Sequence, residues 1–323
     1  MRTSASLRLA AAGALLLLAG CERFRGPRTS FSGDAAYGYT KAQVAFGPRV
    51  PGTPAHRRAG DWILDQMRTR ADTVIVQSWT HVTAQGDSLP LRNFLARVNA
   101  KATDRVLYLT HWDTRPTADE DPTLGNRRLP IPGANDGASG VGLLMALADA
   151  LKKTPPNVGV DLLFVDGEDY GDFNTYSDTA SNPDVLIGST YFASHLPSPD
   201  YKPLFGVLWD MIGDAHLQIF QESISANNAP EVVTRVWGVA KDLGYGKYFI
   251  DEDHGAITDD HVPLIRKGLR VIDVIDIDYC TTGTACTPPD PRNLHHTLQD
   301  TMDKVSAKSL QIVGDVATAL VTR

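Results

Sequence analysis

Cysteine is nearly absent: of 323 residues only Cys21, Cys280 and Cys286 carry a thiol. Over most of the sequence a metal would therefore have to rest on histidine nitrogen and carboxylate oxygen. Excess positive charge is also lacking. Lys and Arg number 31 against 38 Asp and Glu, for a formal net charge of −7, and no basic patch marks a nucleic-acid surface. Beyond the first twenty residues, no apolar run is long enough to span a bilayer. Internal repeats, other low-complexity segments and linker-like breaks are missing as well. A length sufficient for two domains thus reads as one α/β domain with alternating strand and helix signals.

The exception stands at the start. Arg2 and Arg8 precede the apolar run LAAAGALLLLAGC, which is too short for a comfortable permanent span and has the form of an export signal. Leu18, Ala19, Gly20 and Cys21 resemble the lipobox of bacterial lipoproteins. That resemblance implies cleavage of residues 1–20, a lipid on Cys21, and a place in the bacterial cell envelope, periplasmic or at the cell surface. Losing Arg2 and Arg8 would take the charge from −7 to −9. Residues 21–33, polar with Gly and Pro, are expected to form a tether, and residues 34–323 a single catalytic domain. In an oxidising compartment Cys280 and Cys286, which close a short loop, are expected to bridge.

Helical spacing of apolar residues marks 34–46, 54–70, 140–153, 230–244 and 307–321, with Gly244 ending the fourth. Strand-like runs occupy 73–79, 93–99, 105–111, 159–169, 205–214 and 269–277. The run RVLYLTH at 105–111 is nearly continuous in apolar residues, as in a strand covered on both faces.

Five short islands place acids or histidines where such strands end: THWDT with His111 and Asp113, GANDGASG with Asp136, FVDGEDYG with Glu168 and Asp169, WDMIGD with Asp210, and LHHTLQDT with His296. Open α/β sheets form their sites beyond the carboxyl ends of strands. A single strand ending in Asp often only caps a turn, but five such islands together predict a metal centre. Histidine and carboxylate without cysteine suit a catalytic zinc with an open position. Trp209, preceding Asp210 on a strand, points to the opposite face and is expected in the core.

The order of these islands resembles the zinc-dependent exopeptidase superfamily, which includes co-catalytic zinc aminopeptidases and glutaminyl cyclases. The resemblance implies a three-layer α/β/α fold with a mostly parallel, mixed central sheet. It implies that Asp136, Asp169 and His296 hold the principal zinc, with His296 preferred to His295 because a Thr follows it. Glu168 would be the general acid/base, Asp113 a support for His111, and Asp260 part of a catalytic network with Glu168 and Asp210. Adjacent acids can divide labour in this way, one ligating and one moving protons. In the aminopeptidases His111 and Asp210 would hold a second zinc bridged by Asp136, whereas the cyclases bind one metal.

HWDTRPTADEDP, GSTYFASHLP and TDDHVPLIRKG look like bacterial glutaminyl cyclases, as do Gly137 and the sixteen residues between EDYG and Gly188-Ser189. Two chemistries stay open: cyclisation of N-terminal glutamine in peptides or proteins with one zinc, and hydrolysis of N-terminal peptide bonds with two. A non-catalytic surface binding module is a third. His295 stands where cyclases carry a pocket tryptophan, and His261 opens a helix near the site, to bond substrate or to serve a structural network. The lipid would be the sole membrane contact.

Overall fold

Every residue of Arg105–His111 is buried, as the apolar run predicts for a strand inside a covered sheet. The computed structural model describes residues 29–173, 176 and 184–323; the signal segment and Cys21 lie outside the described residues. Its strands are β1 (Thr73–Val82), β2 (Ser88–Val98), β3 (Arg105–His111), β4 (Gly159–Val165), β5 (Gly206–Asp210), β6 (Ile219–Gln221), β7 (Phe249–Asp253) and β8 (Val271–Ile275). Six form one sheet in the order β1-β2-β4-β3-β5-β8, while β6 and β7 pair separately. Strands β4, β3, β5 and β8 run parallel, and β1 and β2 pair antiparallel at one side. The sheet is therefore mixed and mostly parallel, as expected.

The helices are α1 (Gly33–Val44), α2 (Pro54–Arg68), α3 (Ala138–Lys153), α4 (Ile187–Ser194), α5 (Ser223–Asn228), α6 (Pro230–Asp242), α7 (His261–Arg266) and α8 (Ala307–Thr322). Strand side chains alternate between faces, so the sheet builds two cores. Val106, Tyr108, Leu162, Val207 and Trp209 face α1, α2, α3, α6 and α8. Leu107, Leu109, Leu163, Val165 and Leu208 face Phe192 of α4 and Leu264 of α7. Helices on both faces make the three-layer α/β/α arrangement. Trp209 lies in the first core, edge-on to Tyr108 at 5.5 Å.

The domain starts earlier than the sequence suggests, because part of the expected tether is packed. Phe31 is 2% exposed and lies so close to Gly314 that a Cβ there would sit 2.1 Å from its ring. Thr29 donates from its backbone and hydroxyl to Asp315 Oδ1 at 3.1 and 2.7 Å. One apolar side chain in a polar stretch gives no periodic signal. Phe31→Ala is expected to destabilise the fold by roughly 3–5 kcal/mol, the usual cost of deleting a buried phenylalanine, as read from urea unfolding midpoints at unchanged slope.

Candidate metal centre

Strand β3 delivers His111 at its end. There His111 Nε2 lies 3.1 Å from Asp136 Oδ1 and 3.3 Å from Asp210 Oδ1, the latter at the end of β5. Its Nδ1 faces Asp113 Oδ1 at 3.5 Å and Glu168 Oε2 at 3.8 Å. Asp113 does more than stand beside His111. Its two carboxylate oxygens accept from the backbone N–H groups of Glu168 and Asp169 at 3.1 and 3.3 Å, so it fixes the turn that carries both acids.

Asp136 sits in the turn before α3. Asp300 holds that turn, accepting from the N–H groups of Asn135 and Asp136 at 2.8 and 3.2 Å. Gly137 closes it with φ +81°, and a Cβ there would lie 2.8 Å from Asp113 O and 2.9 Å from His111 Cε1. Neither the backbone angle nor the space admits a side chain. Gly137→Ala is expected to cost about 1–3 kcal/mol from the backbone angle alone and to displace His111, which thermal unfolding and zinc titration would detect.

His296 takes a left-handed conformation, φ 51°, which is uncommon for a non-glycine residue. Its Nε2 is 3.3 Å from Asp169 Oδ1 and 3.7 Å from Asp136 Oδ2. Donor atoms of Asp136, Asp169 and His296 lie within 4.8 Å of one another, and so do those of His111, Asp136 and Asp210. Asp136 belongs to both groups. Asp136 Oδ2, Asp169 Oδ2 and both His111 nitrogens are buried without a hydrogen-bond partner, which is costly unless something else satisfies them. A cation bound by imidazole and carboxylate fits this donor set, and zinc is such a cation.

The two adjacent acids are driven apart. Burial pushes the Glu168 carboxyl well above the usual range, helped by the charges of Asp169, Asp259 and Asp260. Burial acts on Asp169 in the same direction, but His296 and Arg115 outweigh it and hold that group low. Divergent environments of this kind separate a proton carrier from a ligand. Asp260, also raised by burial and by Asp113 and Asp210, reaches about 7. Its side chain does not cap α7.

A cavity of about 290 Å³ opens over the centre, lined among others by Glu168, Phe173, Tyr176, Asp259, Ile277 and His295. His295 stacks on His296 with ring centres 3.6 Å apart, and its Nδ1 meets Glu120 Oε2 at 3.0 Å. Despite burial, this bond raises His295 to about 9. His261, considered for substrate contact, is not there: it is fully buried, does not line the cavity, and faces Glu222 Oε1 at 3.3 Å. Cys280 and Cys286 form a disulfide in the loop that leads to His295, and Tyr279 beside it donates to Asp300 at 2.8 Å.

Sequence reasoning missed several contributors. Arg115 bonds Asp169 Oδ1 at 2.8 Å and Asp119 at 2.6 Å; its place two residues after Asp113 was the available signal. Glu120, Asp259 and Asp300 lie within the quoted motifs without a role assigned to them, and Phe173 carries no local mark of its place.

A sequence model of peptidase family M28 matches residues 93–321. The solved glutaminyl cyclase of Bacteroides thetaiotaomicron superposes with a TM-score of 0.83 at 36% identity, covering 91% of this chain and 98% of its own. The glutaminyl-peptide cyclotransferase of Bos taurus is 26% identical over 289 residues, 80% of this chain and 76% of its own length. The alkaline phosphatase isozyme conversion protein of Escherichia coli is 28% identical over 52% of this chain, which spans 56% of that relative's length.

Proposed function

The chain belongs to peptidase family M28, and we propose that within this family of metal-dependent enzymes it is a glutaminyl-peptide cyclotransferase, turning N-terminal glutamine into pyroglutamate with release of ammonia. Asp136, Asp169 and His296 would hold one zinc. When bound, zinc supplies Lewis-acid polarisation of the side-chain carbonyl.

The protein's own groups do the rest. Glu168, 7% exposed within the cavity wall, is placed to take a proton from the substrate α-amine as its nitrogen bonds to the side-chain carbonyl carbon. The carbon–nitrogen bond of the amide then breaks, and Glu168 returns the proton to the departing ammonia. By charge, Asp169, Asp259 and Asp260 favour a protonated Glu168 between these transfers. Nucleophile and electrophile belong to one residue, so positioning supplies much of the rate.

The observation that carries cyclisation over hydrolysis is that Phe173 and Tyr176, after Asp169, line the cavity, with Arg115 over the Phe173 ring at 6.0 Å and Arg266 donating to the Tyr176 hydroxyl at 2.6 Å. Aromatic side chains beside the reacting carbonyl would reduce its access to water, which would favour the internal amine. The second reading, a di-zinc aminopeptidase, draws on the His111, Asp136 and Asp210 group. Purified enzyme assayed with Gln-initiated and Leu-initiated peptides separates the two. Pyroglutamyl product with little leucine release is expected, and efficient leucine release would reverse the choice.

A further inference from the structure

Charge is distributed unevenly over this acidic chain. Helix α3 starts directly after Asp136 and Gly137 and ends at Lys152 and Lys153. At 1.5 Å per residue its far end lies about 24 Å from the metal centre. Helix α2 starts beside the site, where His56 pairs with Asp166 at 2.7 Å, and ends at Arg68, close to where Lys152 Nζ donates to Thr69 O. Helix α8 begins where Ser306 N donates to Gly213 O and finishes at exposed Arg323. Lys101 precedes β3 at the same far end. Lys101, Lys152, Lys153 and Arg323 are exposed there and have no carboxylate partner among the described ion pairs, whereas Arg68 pairs with Asp65, Arg70 with Asp149 and Arg105 with Asp161. The cavity end is the reverse, with Asp119, Glu120, Asp136, Glu168, Asp210 and Asp259 gathered around Arg115.

The described chain begins at the basic end. Ser30 Oγ donates to Ala150 O near the close of α3 at 3.1 Å, and Thr29 binds Asp315 in the second half of α8. From there the chain runs toward the start of α8, where Gly33 N donates to Gln311 at 2.7 Å. Thr29 therefore lies remote from the cavity. The residues between it and Cys21 read ERFRGPR, with Arg23, Arg25 and Arg28 against one acid, Glu22. Fully extended, eight residue steps reach about 29 Å, so a lipid on Cys21 would hold the basic end near its membrane. Among the described residues no helix is long and apolar enough to cross a membrane.

We propose that this basic end docks on an anionic phospholipid surface, held there by the lipid on Cys21. The cavity then faces the aqueous space and takes substrate from solution. Lys and Arg close to such a surface are attracted within about one Debye length, so the contact weakens with salt. This orientation is independent of the reaction assigned to the site.

The test uses the lipidated full chain on vesicles of phosphatidylcholine, alone or mixed with phosphatidylglycerol, followed by amide hydrogen exchange. Peptides from 99–104, 150–157 and 320–323 are expected to exchange several-fold more slowly on the phosphatidylglycerol vesicles, while 117–121 and 257–260 exchange alike on both. High salt should remove the difference, as should Lys101→Glu with Lys152→Glu and Lys153→Glu, exposed changes whose folding is checked by unaltered exchange in the middle of α3. Slower exchange at the cavity peptides would overturn the proposal. Equal exchange of the basic end on both lipids would do so too, as would a mature chain whose Cys21 bears no lipid by mass spectrometry.

Discussion

Glu168→Gln is expected to lower turnover of Gln-initiated peptides by about 10²-fold or more, the scale of lost general acid–base catalysis, while zinc content and unfolding temperature stay near those of the parent. The substitution keeps the shape of the side chain and removes the group that carries the proton. It removes no donor from the Asp136, Asp169 and His296 group. The backbone N–H of Glu168 still donates to Asp113, so the turn should hold. Steady-state rates alongside elemental analysis check this, and a variant that retained zinc and the parental rate would remove Glu168 from the mechanism.

Loss of a ligand should look different. His296→Ala and Asp169→Ala are each expected to abolish activity together with bound zinc, because a buried site with two of its three donors left binds far more weakly. Asp169→Ala also takes one of two carboxylate partners from buried Arg115, leaving Asp119, and that should cost stability. His111→Ala should reduce the rate and leave the principal zinc in place, since His111 lies outside that donor group. Elemental analysis of the parent enzyme should find a single zinc per chain. Two zincs in the parent, with one lost in His111→Ala, would support the aminopeptidase reading, in which His111 and Asp210 complete a second metal position.

Much of this site was legible because its residues occupy strand ends and tight turns, where local pattern and chemistry coincide. The run at 105–111 announces β3, and the acid or histidine that follows each buried strand falls at the carboxyl edge of a mostly parallel sheet. Gly137 is legible as a likeness to the cyclases, but its cause, the approach of Asp113 O and the His111 ring, is a contact between distant segments. β6, three residues long, and the short α5 have too few residues to show a period. Phe31 gave no signal either, since a lone apolar residue acquires meaning only when Gly314 opens a place for it.

By itself the sequence determined the α/β class, the order of the strands and helices that carry the site, and the residue types able to hold a metal; the three-layer arrangement and the separate roles of Glu168 and Asp169 were implied by the resemblance to zinc-dependent exopeptidases. Local propensity and periodicity fix the strands and helices, and neither depends on what lies across the molecule. Only the tertiary structure decided that His261 turns to Glu222, that His295 pairs with Glu120, that Arg115 holds Asp169 low while burial lifts Glu168, and that Phe173 and Tyr176 wall the cavity. These depend on distance and desolvation between residues far apart in the chain, quantities set only once the layers have packed.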